Sequence, residues 1–142
     1  MNAAYPSPSR DADHLRILAV FHYVFAGLAL LGIGFLAVHY LIMRTVMSPE
    51  MLAQSPNPPP PEFLQMFVWF YLFFGAMMIV GGVLNLLAAN NLRKRRSRMF
   101  CMVVAGLNCL QFPFGTVLGV FTLVTLGRDS VRAMFDGAGD TA

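Results

Sequence analysis

Three long apolar stretches, separated by short polar ones, dominate the pattern of the chain. They cover residues 15–43, 63–89 and 99–127, and each is longer than the roughly 20 residues that a helix needs to cross a membrane. Only 12% of the 142 residues are charged, against about 25% in an average soluble domain. The pattern therefore predicts an all-α integral membrane protein, a helical bundle with lipid around most of the chain.

Polar segments flank these stretches and predict tails and a loop. Residues 1–13 carry two prolines and are expected to form a disordered tail, and residues 136–142 a flexible one. Residues 44–62 are expected to form an outer loop, in which Ser48 caps a short helix that begins with a proline. The part between the tails, residues 14–135, is predicted to be one transmembrane domain.

The third apolar stretch either crosses the membrane once or turns back inside it. One straight helix of its 29 residues would extend about 43 Å, well beyond a hydrocarbon core of about 30 Å. Gln111, Pro113 and Gly115 favour a turn, because proline and glycine interrupt helices and an amide side chain can satisfy the freed backbone groups. We therefore expect four transmembrane helices, the last two forming a short hairpin that turns at Phe112–Gly115. The predicted segments are TM1 15–43, outer loop 44–62, TM2 63–89, basic loop 90–98, TM3 99–111, TM4 114–127 and an amphipathic turn 128–135.

Half of the ten basic residues lie in the loop between the second and third stretches. They are Arg93, Lys94, Arg95, Arg96 and Arg98. The positive-inside rule places such a loop in the cytoplasm, which puts both termini there as well. A nucleic-acid patch is the other interpretation, but nine residues held between membrane segments are too few to follow a groove. The expected partners are the lipid bilayer and its anionic headgroups, and no nucleic acid.

Two rows of small and polar residues predict faces where helices pack closely. Gly81, Asn85 and Ala89 are spaced by four, and so share one face of the second membrane helix. Gly115 and Gly119 form a GxxxG pattern in the last helix, and Thr122 extends the same face. Packing within the chain is the simpler interpretation of this second row, and a seam between two copies is the alternative.

Two stretches carry a resemblance to a known group of proteins. "HLRILAVFHYVFAGL" near the start and "FPFGTVLGVFTLVTL" near the end are similar to the signature segments of a group of small, uncharacterised bacterial four-helix inner-membrane proteins. In that group an FPxGTxLG segment opens the last helix. The resemblance covers most of residues 14–127 apart from the outer loop. It implies a four-helix architecture in the bacterial inner membrane and no established activity.

The polar residues inside the apolar stretches are uncharged, which limits the kinds of site that the membrane segments can form. No Asp, Glu, Lys or Arg occurs in 17–43, 63–89 or 99–126, so a proton or ion pathway built on buried charge is not expected. Asn85 and Asn108 are predicted to form hydrogen bonds between helices. A substrate or ion site formed by these two amides is the alternative.

Two hypotheses of a metal site are left open by the residue types. His14, His22 and Cys101 are soft ligands near one membrane face, but their spacing matches no zinc or copper pattern. Met43, Met47 and Met51 are spaced by four and suit copper(I), although methionine is also an ordinary filler of apolar surfaces. We expect no cofactor and no bound metal.

The sequence supports two hypotheses of function from different classes. With ample packing faces and no catalytic motif, the chain is predicted to be a non-enzymatic interaction, accessory or assembly subunit. A homo-oligomer or a larger membrane complex is the expected assembly. The alternative is a homo-oligomeric transporter or channel for a small solute, with Asn85 and Asn108 as its polar lining and the GxxxG face as its seam.

Overall fold

The structure is a computed structural model, and it describes residues 8–139. Every regular element within that range is a helix, which confirms the predicted all-α fold. The helices are α1 Pro8–Val46, α2 Pro49–Leu52, α3 Pro61–Lys94, α4 Arg98–Asn108, α5 Phe114–Leu126 and α6 Asp129–Gly139. The short helix α2 begins as predicted, with Ser48 at its N-cap and a proline in its first turn, although the Ser48 side chain makes no capping hydrogen bond.

Two helices, α1 and α3, are long and apolar enough to cross a membrane. They have 39 and 34 residues, and are therefore about 58 and 51 Å long. Such helices are compatible with a multi-pass membrane protein. The predicted disordered tail needs correction in its second half, because residues 8–13 already belong to α1. Residues 1–7, and likewise 140–142 of the predicted flexible tail, lie outside the described residues.

The third apolar stretch forms an antiparallel pair of short helices. A break at residues 109–113, with a cis peptide bond between Phe112 and Pro113, separates α4 from α5. The two helices pack against each other. Their 11 and 13 residues give lengths of about 16 and 20 Å, shorter than a hydrocarbon core of about 30 Å. Four full spans are therefore not seen; a third one arises only if α5 and α6, bent by 75°, are taken together.

The basic segment is more helical than predicted. α3 continues to Lys94 and α4 begins at Arg98, so that only residues 95–97 break the helices. Arg95 and Ser97 turn the chain there with left-handed φ values of 51° and 49°. Basic residues in a last turn interact favourably with the negative end of the helix dipole, which explains why α3 extends into the charged run. The predicted amphipathic turn is likewise longer, since α6 spans Asp129–Gly139, and this corrects the predicted flexible tail over residues 136–139.

The chain divides into two compact units. Among the described residues, the terminal unit comprises 8–26 and 83–139, and the central unit comprises 27–82. Every buried residue of the described chain lies in the terminal unit. The apolar core there is formed by Leu15, Leu18, Ala19, Leu92, Cys101, Leu118, Leu126, Val131 and Phe135.

The central unit contains the loop with α2 and the parts of α1 and α3 that flank it. Its two long helices meet where a glycine on one faces a side chain of the other, as Gly75 does with Leu36. His39 bonds to the hydroxyl of Tyr71 at 2.6 Å. Aromatic rings contact one another edge to face or at a tilt along the first half of α3, and the centroids of Phe70 and Phe74 are 4.4 Å apart.

Candidate functional site

A cluster of polar side chains lies in the core of the terminal unit, with one contribution from each of α1, α3, α4 and α5. His22 of α1 is fully buried. Its Nδ1 lies 2.7 Å from Oδ1 of Asn85 on α3, and its Nε2 lies 3.3 Å from Oγ1 of Thr122 on α5. We call His22, Asn85, Asn108 and Thr122 the polar cluster.

The two asparagines of the polar cluster bind each other through both ends of their amides. Nδ2 of Asn85 donates to Oδ1 of Asn108 at 3.1 Å, and Nδ2 of Asn108 donates to Oδ1 of Asn85 at 2.8 Å. This pair joins α3 to α4. Sequence reasoning expected hydrogen bonds between helices from these residues, and the structure places the two amides directly against each other.

The hydrogen-bonding capacity of His22 matches its neighbours. Oδ1 of Asn85 is an acceptor, so Nδ1 of the imidazole donates to it. The Thr122 hydroxyl also lies 2.8 Å from the carbonyl oxygen of Leu118, and its proton can point there or at Nε2. Every buried side-chain nitrogen and oxygen among the described residues has a partner. The polar cluster is thus a closed set of contacts between helices, with its amides engaged within the protein.

Glycines allow α4 and α5 to approach each other closely. A Cβ atom on Gly115 would lie 2.5 Å from Cβ of Gln111 and 2.6 Å from the carbonyl oxygen of Asn108. One on Gly119 would overlap the carbonyl oxygen of Ala105 and lie 2.5 Å from Sγ of Cys109. Both glycines of the GxxxG pattern therefore face the partner helix of the same hairpin, and a seam between two copies is not needed to explain them.

The other residues singled out in the sequence are distributed between core and surface. Asn85 and Ala89 are buried and Gly81 is half-buried. Gln111 and Pro113 are exposed at the tip of the hairpin, where the side-chain amide of Gln111 was expected to satisfy the backbone. The backbone does so instead, since the N–H of Gln111 donates to the carbonyl oxygen of Asn108 at 2.9 Å. The Thr116 hydroxyl adds a bond to the carbonyl oxygen of Cys109 at 2.8 Å.

Arg98 differs from the other basic residues of its segment. Its Nε and one terminal nitrogen donate to the carbonyl oxygen of Leu126 at 2.8 and 2.6 Å. The first residue of α4 thus binds the last carbonyl of α5, which has no partner within its own helix. Arg93, Lys94 and Arg96 are exposed and Arg95 is half-buried.

A second polar contact, which the sequence did not reveal, joins α1 to the start of α6. Asp11 is fully buried. Its Oδ2 accepts from the Ser130 hydroxyl at 2.5 Å, and its Oδ1 accepts from Arg128 at 3.3 Å. Only the polar character of the segment around Asp11 was visible in the sequence, and that character favoured a tail.

The metal hypotheses find no assembled ligands. No three His, Cys, Asp or Glu side chains come together in residues 8–139 in a way that would hold a metal ion. His22 bonds to Asn85 instead, and Sγ of Cys101 lies 3.8 Å from the carbonyl oxygen of Ala88. Met43 and Met47 line a small cavity of about 180 Å³ in the central unit, and Met51 is exposed outside it.

Comparison with protein-family models, with curated proteins and with solved structures finds no match to this chain. What the protein does must therefore be inferred from its own residues.

Proposed function

We propose that the chain is a multi-pass protein of the bacterial inner membrane with four apolar helices. In this arrangement α1 and α3 cross the bilayer, and the hairpin of α4 and α5 enters and leaves on the side of the basic residues. Residues 45–61 contain no Lys or Arg, whereas residues 93–98 contain five. This asymmetry supports a cytoplasmic location for the 95–97 break and for both termini. The bacterial membrane is what the sequence resemblance implies.

Labelling of introduced cysteines tests this orientation. In a background with Cys101→Ala and Cys109→Ala, we introduce Gln54→Cys or Ser97→Cys, both at exposed positions. A membrane-impermeant maleimide should label position 54 in intact cells and position 97 only after the membrane is permeabilised. Labelling of position 97 in intact cells would contradict the proposed orientation.

We infer that the protein acts as a non-enzymatic interaction or accessory subunit of a membrane assembly. The observation that supports this function is a pair of open glycines on α1 in the central unit. A Cβ atom on Gly27 or on Gly34 would meet nothing within 4 Å. Seven residues apart on a helix, they share one face, and small residues on such a face let another helix approach closely.

A transporter lined by Asn85 and Asn108 has less support. A polar lining needs amide groups that face a passage, but these two are buried and bonded to each other, and Asn85 also bonds to His22. An enzyme also has less support. The Thr122 hydroxyl lies 3.3 Å from Nε2 of His22, but both side chains are fully buried, and the hydroxyl also lies 2.8 Å from the carbonyl oxygen of Leu118.

Cross-linking in the native membrane, followed by purification in a mild detergent, tests the accessory function. In the double variant Gly27→Leu with Gly34→Leu, the yield of cross-linked complex should fall about tenfold or more, because bulky side chains would keep the partner helix at a distance. Gly106→Leu is the matched control, since Gly106 also has open space around it but lies in the terminal unit. A strictly solitary monomer before and after cross-linking would contradict the proposed function.

A further inference from the structure

An apolar groove of about 660 Å³ runs between the first part of α1 and α5, within the terminal unit. Leu18 and Leu118 form its buried floor, and Phe21, Val117 and Phe121 form exposed walls. Its volume lies in the range of about 300–1,000 Å³ that is typical of ligand sites. None of these side chains needs a polar partner, so the groove suits a hydrocarbon chain.

One end of the groove is polar and basic. His14 and Arg128 line it there, together with Thr125, and no acidic side chain is among the lining residues. Arg128 gives one nitrogen to buried Asp11, and Asp11 is itself held by Ser130. A guanidinium has five N–H donors, so this ion pair leaves donors for another anion. The side chain of Arg128 is 39% exposed, and the contact with Asp11 fixes its position beside the groove.

An apolar groove with the guanidinium of Arg128 fixed at one end matches a lipid that has a hydrocarbon chain and an anionic headgroup. Guanidinium groups bind phosphate oxygens through paired, charge-assisted hydrogen bonds. Basic pockets between membrane helices on the cytoplasmic side bind phospholipid headgroups. We propose that this groove binds one acyl chain of an anionic phospholipid, whose phosphate contacts Arg128 and His14. The proposal depends on the membrane location of the chain and not on its accessory function.

Native mass spectrometry of the full chain, released from detergent and titrated with phosphatidylglycerol, tests the groove. Val117→Trp should fill it and weaken lipid binding about tenfold or more. Val120→Trp is the matched control, because Val120 lies on the same helix and is 47% exposed, but does not line the groove. Equal lipid retention by these two variants would overturn the proposal.

The headgroup contact is tested separately. Arg128→Gln should weaken phosphatidylglycerol binding about tenfold and reduce the preference over phosphatidylcholine, because it removes a charge-assisted contact. Arg132→Gln is the control, since Arg132 is 63% exposed and pairs only with Asp136 at 3.9 Å. Unfolding temperatures in detergent show whether each variant is folded, and Arg128→Lys should retain charge with intermediate binding.

A second copy of the chain is the competing occupant. If Val117→Trp abolishes dimers in the native spectra and leaves the bound phospholipid unchanged, the groove is an interface between copies and the lipid proposal is wrong. Loss of bound lipid without a change in oligomeric state supports it. The accessory function can fail without affecting this result, because the Gly27 and Gly34 variants alter the central unit alone.

Discussion

The helices α1 and α3 run through both the terminal unit and the central unit, but the contacts inside the two units differ. In the terminal unit, side chains from four helices form the polar cluster, and Gly119 brings two backbones close together. In the central unit, where none of the described residues is buried, the long helices meet through contacts such as His39 with Tyr71. In the proposed membrane location polar groups need partners within the protein, and the terminal unit has more helices that can supply them.

Among substitutions that test this comparison, we expect the largest loss of stability at Gly119. Gly119→Ala places a methyl group against the carbonyl oxygen of Ala105 and against Cys109, and α4 must move to admit it. We expect the free energy of unfolding to fall by about 1–3 kcal/mol, at the upper end of that range. Chemical unfolding in detergent measures the loss.

Gly106→Ala is the control for this experiment. Gly106 lies in α4 too, with open space where a Cβ atom would be. Since alanine favours helix by about 1 kcal/mol over glycine, this variant should be as stable as the parent or slightly more so. A Gly119→Ala variant that unfolds like Gly106→Ala would break the argument that close backbone packing holds the hairpin.

We expect the second largest loss of stability at Asn85. Asn85→Leu keeps the number and branching of the side-chain heavy atoms but removes the partner of the Asn108 amide and of Nδ1 of His22. We expect a loss of about 2 kcal/mol, the typical cost of buried polar groups left unsatisfied. Unfolding in detergent again gives the value.

A double-mutant cycle shows whether the two amides act together. Adding Asn108→Leu to Asn85→Leu removes both amides of the pair, so the combined loss should be smaller than the sum of the single losses. Strictly additive losses would mean that the amide pair does not couple α3 to α4.

The smallest effect is expected in the central unit. Tyr71→Phe removes the hydroxyl that bonds to His39 at 2.6 Å and keeps the ring contacts with Tyr40 and Phe67. At a half-buried position this should cost about 0.5–1 kcal/mol. Tyr40→Phe is a matched control on the facing helix. If Tyr71→Phe proves as costly as Asn85→Leu, the two units do not differ in the way proposed.

Several contacts of the terminal unit could be predicted from the sequence, because glycine, asparagine and proline have few structural roles inside apolar helices. Glycines four apart indicated a close approach, and Gly115 and Gly119 do meet α4. Asparagines inside apolar helices indicated hydrogen bonds between helices, and Asn85 and Asn108 form a pair. A proline and a glycine near position 113 indicated the break that separates α4 from α5. Each of these signals is local.

What the sequence did not reveal depends on contacts between distant segments. Asp11 lies in a short polar stretch typical of a disordered tail, and only its bonds to Ser130 and Arg128 explain its burial. His22 was considered as a possible metal ligand with His14 and Cys101, and no local pattern identifies Thr122 as its partner. Arg98 was counted with the other cations of its run, and the carbonyl oxygen it binds lies 28 residues away.

The bond between Asp11 and Arg128 joins residues 117 positions apart in the chain. A ribosome that adds about 5–20 residues per second needs roughly 6–23 s to make the second after the first. Throughout that interval Asp11, near the start of α1, lacks both of its native partners, because Ser130 is made after Arg128. The native environment of Asp11 can therefore form only after α5 has been synthesised.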